Sequence, residues 1–405
     1  MAGVEVNGNA AGRQLESEVE KKEDSETGAP VTQLTNYFAH SHQLYYTNTS
    51  WYEDEGKVLF GSDRHNSKNL YSADIESGLI TQLTDLEVSD FERSLSPPRS
   101  KYYGGGASIN QEREEAYFWY DKYLWSLDLN SYSISKIYEL PQGYRPLRTS
   151  VTADGNNLCT GITEILRDEI ITSSKRQKAT PESKILRISL DRSGVNAQTL
   201  YEDDMWLGHP NASPTKSNLM TFSPEGPWSK QDERIFGLDM ETGESWAIRP
   251  KDQGTPYGGL SHEHWLADGT HIGYHGYYED GTPFFGTIRH DNTEQEEVEI
   301  SADLLQLGDG GYKSHFHRNE DILLTDGSPQ YPYLIIWPID NGLSSLGTPR
   351  KLVCHNGSWQ HPRLHVHPRI SPDGSRVLYS SNESEYQNIY SVEIPDLKTL
   401  PEVTH

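Results

Sequence analysis

The chain has 405 residues, with 35 Lys and Arg against 60 Asp and Glu, a formal charge of −25. So acidic a chain argues against nucleic acid or an anionic membrane as the main partner, because both need a basic footprint. Only 34% of the residues are hydrophobic, alongside 34 Gly, 22 Pro and 24 Tyr, which suits short strands and turns better than a helical bundle.

Residues 1–29 hold seven acidic and three basic residues and almost no large apolar side chain. Such a segment cannot bury enough surface to offset its ordering entropy, so a short disordered acidic tail is expected. It has no basic stretch leading into an apolar core, so it does not read as a secretory signal, and a cytoplasmic protein is expected. No run of about 20 apolar residues predicts a membrane span.

From residue 30 a pattern of short strands and turns recurs. Lys57–Phe60 leads to Leu70–Asp74, a Ser77-Gly78 turn and Ile80–Leu83. Ala116–Trp119, Leu124–Asp128 and Ile134–Ile137 repeat the series. Asn157–Gly161 and Leu186–Asp191 follow, then Leu219–Phe222 and Ile235–Asp239, then His271–Tyr274 and Phe284–Arg289. Asp321–Leu324 with Tyr333–Pro338, and Arg376–Tyr379 with Asn388–Glu393, end the series. Asp74, Asp128, Asp191 and Asp239 are spaced by 54, 63 and 48 residues, and the later units continue at about that period. A period near 50 with several strands per unit predicts an all-β, seven-bladed β-propeller over 30–405 as one domain. A β-sandwich array is the alternative. The unit L-Y-x-x-D-x-x-[ST]-G resembles blades of the TolB and peptidase-associated propellers. Val31–Thr35 reads like Thr81–Thr84 at the outer end of blade one, and is expected to complete the last blade and close the ring.

Cys159 and Cys354 are too few for a disulfide framework or a zinc ribbon and are expected to be buried free thiols. Histidine is the unusual residue. Eleven of the 16 lie between His262 and His367. Three His-x-His pairs, His262/His264, His315/His317 and His365/His367, precede the inner strands of blades five, six and seven. In a strand, i and i+2 share a face, so each pair would set two imidazoles side by side. Neutral imidazole is the commonest metal ligand. No comparable carboxylate cluster predicts calcium. A divalent metal with open positions, Mn²⁺ among the options, is therefore expected on imidazoles with an amide such as Gln360 and water. A purely structural metal is the alternative. Arg234 begins a strand and could bind a carboxylate in bidentate fashion or pair with Glu233. Neither a G-x-S-x-G elbow nor a nucleotide loop is present, and the glycine run at 104–106 lacks a following helix pattern.

Several ordered motifs resemble the oligogalacturonate lyases, polysaccharide lyase family 22. They are Asp204–Pro210 (DMWLGHP), Glu225-Gly226-Pro227, Ser261–Trp265 (SHEHW) with Asp268-Gly269, Lys313-Ser314-His315 and His365-Val366-His367-Pro368. His42-Gln43-Leu44-Tyr45-Tyr46 is similar to that family's H-x-x-Y stretch. The resemblance spans about 30–395. It implies a seven-bladed propeller and β-elimination on short pectic oligouronides, with Mn²⁺ bound by three His and a Gln. It places His315, His365 and His367 on the three His ligand positions, His262 on the catalytic base and Arg234 on the arginine beside it. The family Gln would stand where this chain has Pro362, so Gln360 or His361 is the substitute. His264 replaces the usual Phe.

The chemistry implied is removal of the C5 proton of a 4-linked uronide and expulsion of the C4 oxygen. A Lewis-acid metal and an arginine would neutralise the sugar carboxylate. His209, His42 and His264 are expected to shape the substrate subsite. A Tyr, water or His264 could be the leaving-group acid. The alternatives are a lyase on a glucuronate- or rhamnose-containing oligosaccharide, and a non-catalytic carbohydrate- or protein-binding propeller.

Overall fold

The computed structural model describes residues 8–87, 106–166, 178–191, 197–227, 230–231, 233–251, 257–301, 315–340, 342–359 and 364–403. Among them the strands form seven antiparallel sheets arranged in chain order around a ring. The inner strands of blades one to seven are Ser41–Gln43, Ser108–Asn110, Tyr144–Val151, Leu207–Ala212, Tyr257–Trp265, Phe316–Arg318 and Arg369–Ile370. The expected strands are present, most of them extended by a few residues. His271–Tyr278 and Arg376–Ser384 are examples.

Alternation along each strand buries both faces of each sheet, so every blade needs two neighbours. Buried apolar side chains accordingly collect in groups that each straddle one pair of adjacent blades. Leu59 of blade one and Phe118 of blade two belong to one group; Leu378 of blade seven and Phe60 of blade one belong to another. Each such side chain contributes roughly 1.5–3 kcal/mol of burial.

The repeated aspartate builds the outer turn. Asp74 Oδ1 accepts from Ser77 N, Asp128 Oδ1 from Asn130 N and Ser131 N, and Asp239 Oδ1 from Glu241 N and Thr242 N. Gly78 and Gly243 close their turns at φ +71° and +76°, a region open to glycine at no steric cost. The turn after Asp191 lies outside the described residues.

Blade seven closes the ring with strands from both ends of the chain. Pro30–Gln33 pairs with Tyr386–Glu393, with Val31 opposite Val392, as expected from sequence. The acidic segment departs from expectation. Residues 8–29 lie against the propeller, whereas 1–7 are outside the described residues. Gln14–Leu15 extends blade one, and Glu20–Glu23 pairs with Pro30–Gln33 at the edge of blade seven. Between these strands, Glu18 forms a bidentate pair with Arg64, whose side chain is 1% exposed (Nη1–Oε1 2.8 Å, Nη2–Oε2 3.3 Å). Composition alone treats all seven acids as solvated; backbone pairing and one buried partner hold the segment instead.

Cys159 is a buried free thiol, its pKa pushed up to about 12 by burial. Cys354 is free but only partly buried, against expectation. Among the described residues no helix is long and apolar enough to cross a membrane.

Candidate active site and metal centre

The inner strands carry chemistry because several are bulged. In blade four the register shifts between Gly208 and Asn211, and in blade five between Ser261 and His264. His209 and His262 lie in these shifts, each at φ +50°, and His367 stands at φ +49° just before the inner strand of blade seven. Such backbone is strained for a side chain with a Cβ and persists where surrounding structure enforces it. A bulge also re-aims the side chain it frees.

Two of the three His-x-His pairs are split, and His365/His367 stays together. His315, His365 and His367 converge, with one ligand atom from each within 4.8 Å of the others. His262 joins them, its ring centroid 4.1 Å from that of His315. His264 and His317 form a separate stack at 5.4 Å. So i, i+2 spacing placed both rings in one site for His365/His367 alone: in blade five the bulge sends His262 and His264 to different neighbours. Tyr46 touches both groups, 5.5 Å from His315 and 6.2 Å from His264.

His315 is 1% exposed and is set from behind by Asp326, itself 0% exposed. Its backbone N donates to Asp326 Oδ1 at 2.6 Å, and its Nδ1 to Oδ2 at 2.9 Å. A carboxylate only accepts, so the proton sits on Nδ1 and Nε2 is left as a lone pair. This is the carboxylate–histidine support common at metal sites. Burial, then the fields of His262 and His365, pushes the His315 pKa well down. Burial, then His315, does the same for His367. Gln43 Nε2 donates to the His367 carbonyl at 2.6 Å, and the Trp359 ring packs 5.1 Å from His365. Three convergent imidazoles, one with its tautomer fixed, suit a divalent transition metal. Gln360, His361 and Pro362 lie outside the described residues.

His262 Nδ1 is 2.8 Å from His275 Nε2. His275 is 1% exposed, and burial, then His262 and His315, pushes its pKa well below the ordinary value. Where a neutral His275 accepts from His262 Nδ1–H, His262 Nε2 is left as a lone pair.

A second network flanks this group. His209 Nδ1 donates to Glu263 Oε1 at 2.8 Å, and Ser223 Oγ donates to the same oxygen. Burial raises the Glu263 pKa, but the fields of His209 and Arg234 and these hydrogen bonds outweigh it and hold the group ionised. Arg234 does not pair with Glu233. Its Nη1 donates to Glu225 Oε1 at 2.9 Å and to the Pro224 carbonyl at 2.8 Å. His209 Nε2 lies 3.6 Å from the same Glu225 oxygen and 3.3 Å from the Tyr45 hydroxyl. His42 stands on the inner strand of blade one, its ring 6.2 Å from His40. His264 is 2% exposed, and burial lowers its pKa to about 4.

Sequence reasoning missed Asp326, His275, Glu263 and Arg148. Asp326 and His275 come from neighbouring strands, so no local spacing marks them. Glu263 stood inside a motif without an assigned partner.

Residues 9–398 match the family model described as oligogalacturonate lyase. The chain is 25% identical over 407 residues to an oligogalacturonate lyase of Dickeya dadantii, covering 96% of this chain and 99% of that protein. It is 24% identical to an oligogalacturonide lyase of Pectobacterium atrosepticum, covering 92% and 95%. In fold it is similar to a solved oligogalacturonate lyase in complex with manganese (TM-score 0.80, 21% identity, covering 96% and 99%). It is likewise similar to the oligogalacturonate lyase structure from Vibrio parahaemolyticus (TM-score 0.78, 20% identity, covering 96% and 99%).

Proposed function

The chain belongs to the oligogalacturonate lyase family, and from that membership we propose that it cleaves short uronic-acid oligosaccharides, oligogalacturonides foremost, by β-elimination. The C5–H and C4–O bonds break, C4=C5 forms, and the product carries a 4,5-unsaturated uronate. The observation that carries this reading is the placement of His262. It stands against the imidazole trio with Nδ1 bonded to His275.

His315, His365 and His367 would hold a divalent cation, Mn²⁺ by analogy with the manganese in the solved lyase of similar fold. When bound, such a cation supplies Lewis-acid neutralisation of the substrate carboxylate, which makes the C5 proton acidic enough to remove.

His262 Nε2 takes that proton. A neutral imidazole is the base suited to near-neutral pH. His275 supports the step, because an acceptor at Nδ1 keeps Nε2 unprotonated before transfer and still takes a hydrogen bond from the imidazolium afterwards. Arg234 acts through Glu225: its guanidinium neutralises that carboxylate and fixes it beside His209. His209, locked by Glu263, presents Nε2 and the Tyr45 hydroxyl to the sugar. His42 and His264 complete the walls of the subsite.

The test is absorbance of the unsaturated uronate, measured on Mn²⁺-loaded protein with a panel of oligogalacturonides and glucuronate-containing oligosaccharides. Turnover is expected on the former. His262→Ala should lower kcat by roughly 10²- to 10⁴-fold and leave Mn²⁺ binding intact. A folded, metal-loaded protein with no product from any uronide refutes the assignment, and undiminished turnover by the variant removes His262 as base.

A further inference from the structure

Blades three, four and five share one irregularity. Their inner strands shift register between Pro146 and Thr149, Gly208 and Asn211, and Ser261 and His264. Each shift frees two residues from the ladder, and a freed side chain is re-aimed. In blades four and five the freed residues include His209 and His262, both in the site. In blade three they are Leu147 and Arg148. Leu147 is buried at 8% exposure, so Arg148 is the residue presented at the level of the two histidines.

Arg148 sits over the Tyr45 ring, its guanidinium carbon 3.3 Å from the centroid. That ring is 5.5 Å from His209 and 5.3 Å from His367. The guanidinium therefore stands one aromatic ring away from both networks. It is half-buried, and among the described residues no carboxylate pairs with it. The contrast with Arg234 is sharp, since Glu225 already occupies that guanidinium. Among the described residues of so acidic a chain, this arginine has no acidic partner. The Tyr45 face offsets part of the cost of desolvating the cation and holds the planar group in place. A guanidinium so held offers two parallel N–H donors, the arrangement that fits a carboxylate and not a neutral ester.

We infer that Arg148 is a specificity residue that binds the carboxylate of the uronate unit next to the one presented to His315, His365 and His367. This rests on the lyase reading above. Arg148 covers the face of Tyr45 while His367 meets that ring at 69°, so the guanidinium and the trio address different parts of it, an arrangement suited to two carboxylates.

The test uses trigalacturonate methyl-esterified on one unit at a time, with Mn²⁺-loaded parent, Arg148→Met and Arg148→Lys. For the parent, esterifying the neighbouring unit should raise KM by roughly 10- to 100-fold, as loss of a charged contact does. In Arg148→Met the free acid should show that same higher KM with kcat little changed, and the penalty for esterifying the neighbouring unit should vanish. The penalty for esterifying the reacting unit should persist. Arg148→Lys should recover part of the acid preference. An unchanged ester penalty in Arg148→Met overturns the inference, as does a fall in kcat at constant KM. Calorimetric titration of the same sugars into His262→Ala, with and without Arg148→Met, reads the contact without turnover. A parent that binds with the expected preference yet forms no product would sink the lyase reading and leave Arg148 as a carboxylate-binding residue.

Discussion

Asp326→Asn is a small change in shape with a large expected consequence. Asp326 is 0% exposed and makes two bonds to one residue, accepting from His315 N at 2.6 Å and from Nδ1 at 2.9 Å. Asparagine can keep one oxygen on the backbone N–H. Its amide then faces Nδ1 with a donor where an acceptor stood. Either two donors oppose each other, or His315 moves its proton to Nε2 and offers no lone pair to a metal. Both outcomes forfeit one charge-assisted hydrogen bond, worth about 1.5–3 kcal/mol. Converted at about 1.4 kcal/mol per decade, that is roughly a 10- to 100-fold rise in the Kd for Mn²⁺, the range found when such supporting carboxylates are replaced. Calorimetric titration of MnCl₂ into the metal-free protein measures it, with a thermal melt as the control for folding. A Kd within twofold of the parent, in a protein with unchanged Tm, would refute the argument that Asp326 sets the His315 tautomer.

Two further outcomes follow from contacts outside the imidazole trio. His275→Phe fills the buried space but removes the acceptor from His262 Nδ1, so kcat should drop by roughly tenfold or more with KM within about twofold; unchanged kcat would separate His275 from proton transfer. Glu18→Ala strands the Arg64 guanidinium, which keeps the Ser62 hydroxyl and the faces of Tyr37 and Tyr71 but loses its only described carboxylate. With Glu18 itself 16% exposed, a loss of about 2–3 kcal/mol is expected, which in a chain of this size lowers Tm by a few degrees. A Tm unaltered by the substitution would return the segment to a passive role.

What the sequence disclosed follows from how local each feature is. The outer turns were legible because Asp74, Asp128 and Asp239 do their work within four residues, each capping backbone amides that follow it. The imidazole trio was legible because histidine is chemically distinctive and the ordered motifs resemble one family. The splitting of His264 from His262 was not, since it depends on a register shift against the neighbouring strand. Asp326 reaches His315 across a strand pair, and His275 reaches His262 in the same way. Arg148 carries no motif at all; its place in a bulge repeated across three blades and its seat on Tyr45 appear only in the fold. The tail was misjudged for a related reason. Composition averages over a segment, whereas Glu18 meets one particular buried arginine from another blade.

The seam of blade seven bears on how the molecule is made. Val31 partners Val392, and Glu20–Glu23 adds outside that pair. The blade therefore joins two stretches of chain some 360 residues apart in sequence. Native pairing there must wait until the second stretch has been made, roughly 20–70 s after the first at about 5–20 residues per second. Closing a loop of roughly 360 residues also carries an entropic cost of about 5 kcal/mol. Until then the edge of Pro30–Gln33 is open to any passing strand. The neighbouring Glu20-Lys21-Lys22-Glu23 stretch, all four residues exposed and charged, is the kind of sequence that keeps such an edge from pairing with the wrong chain.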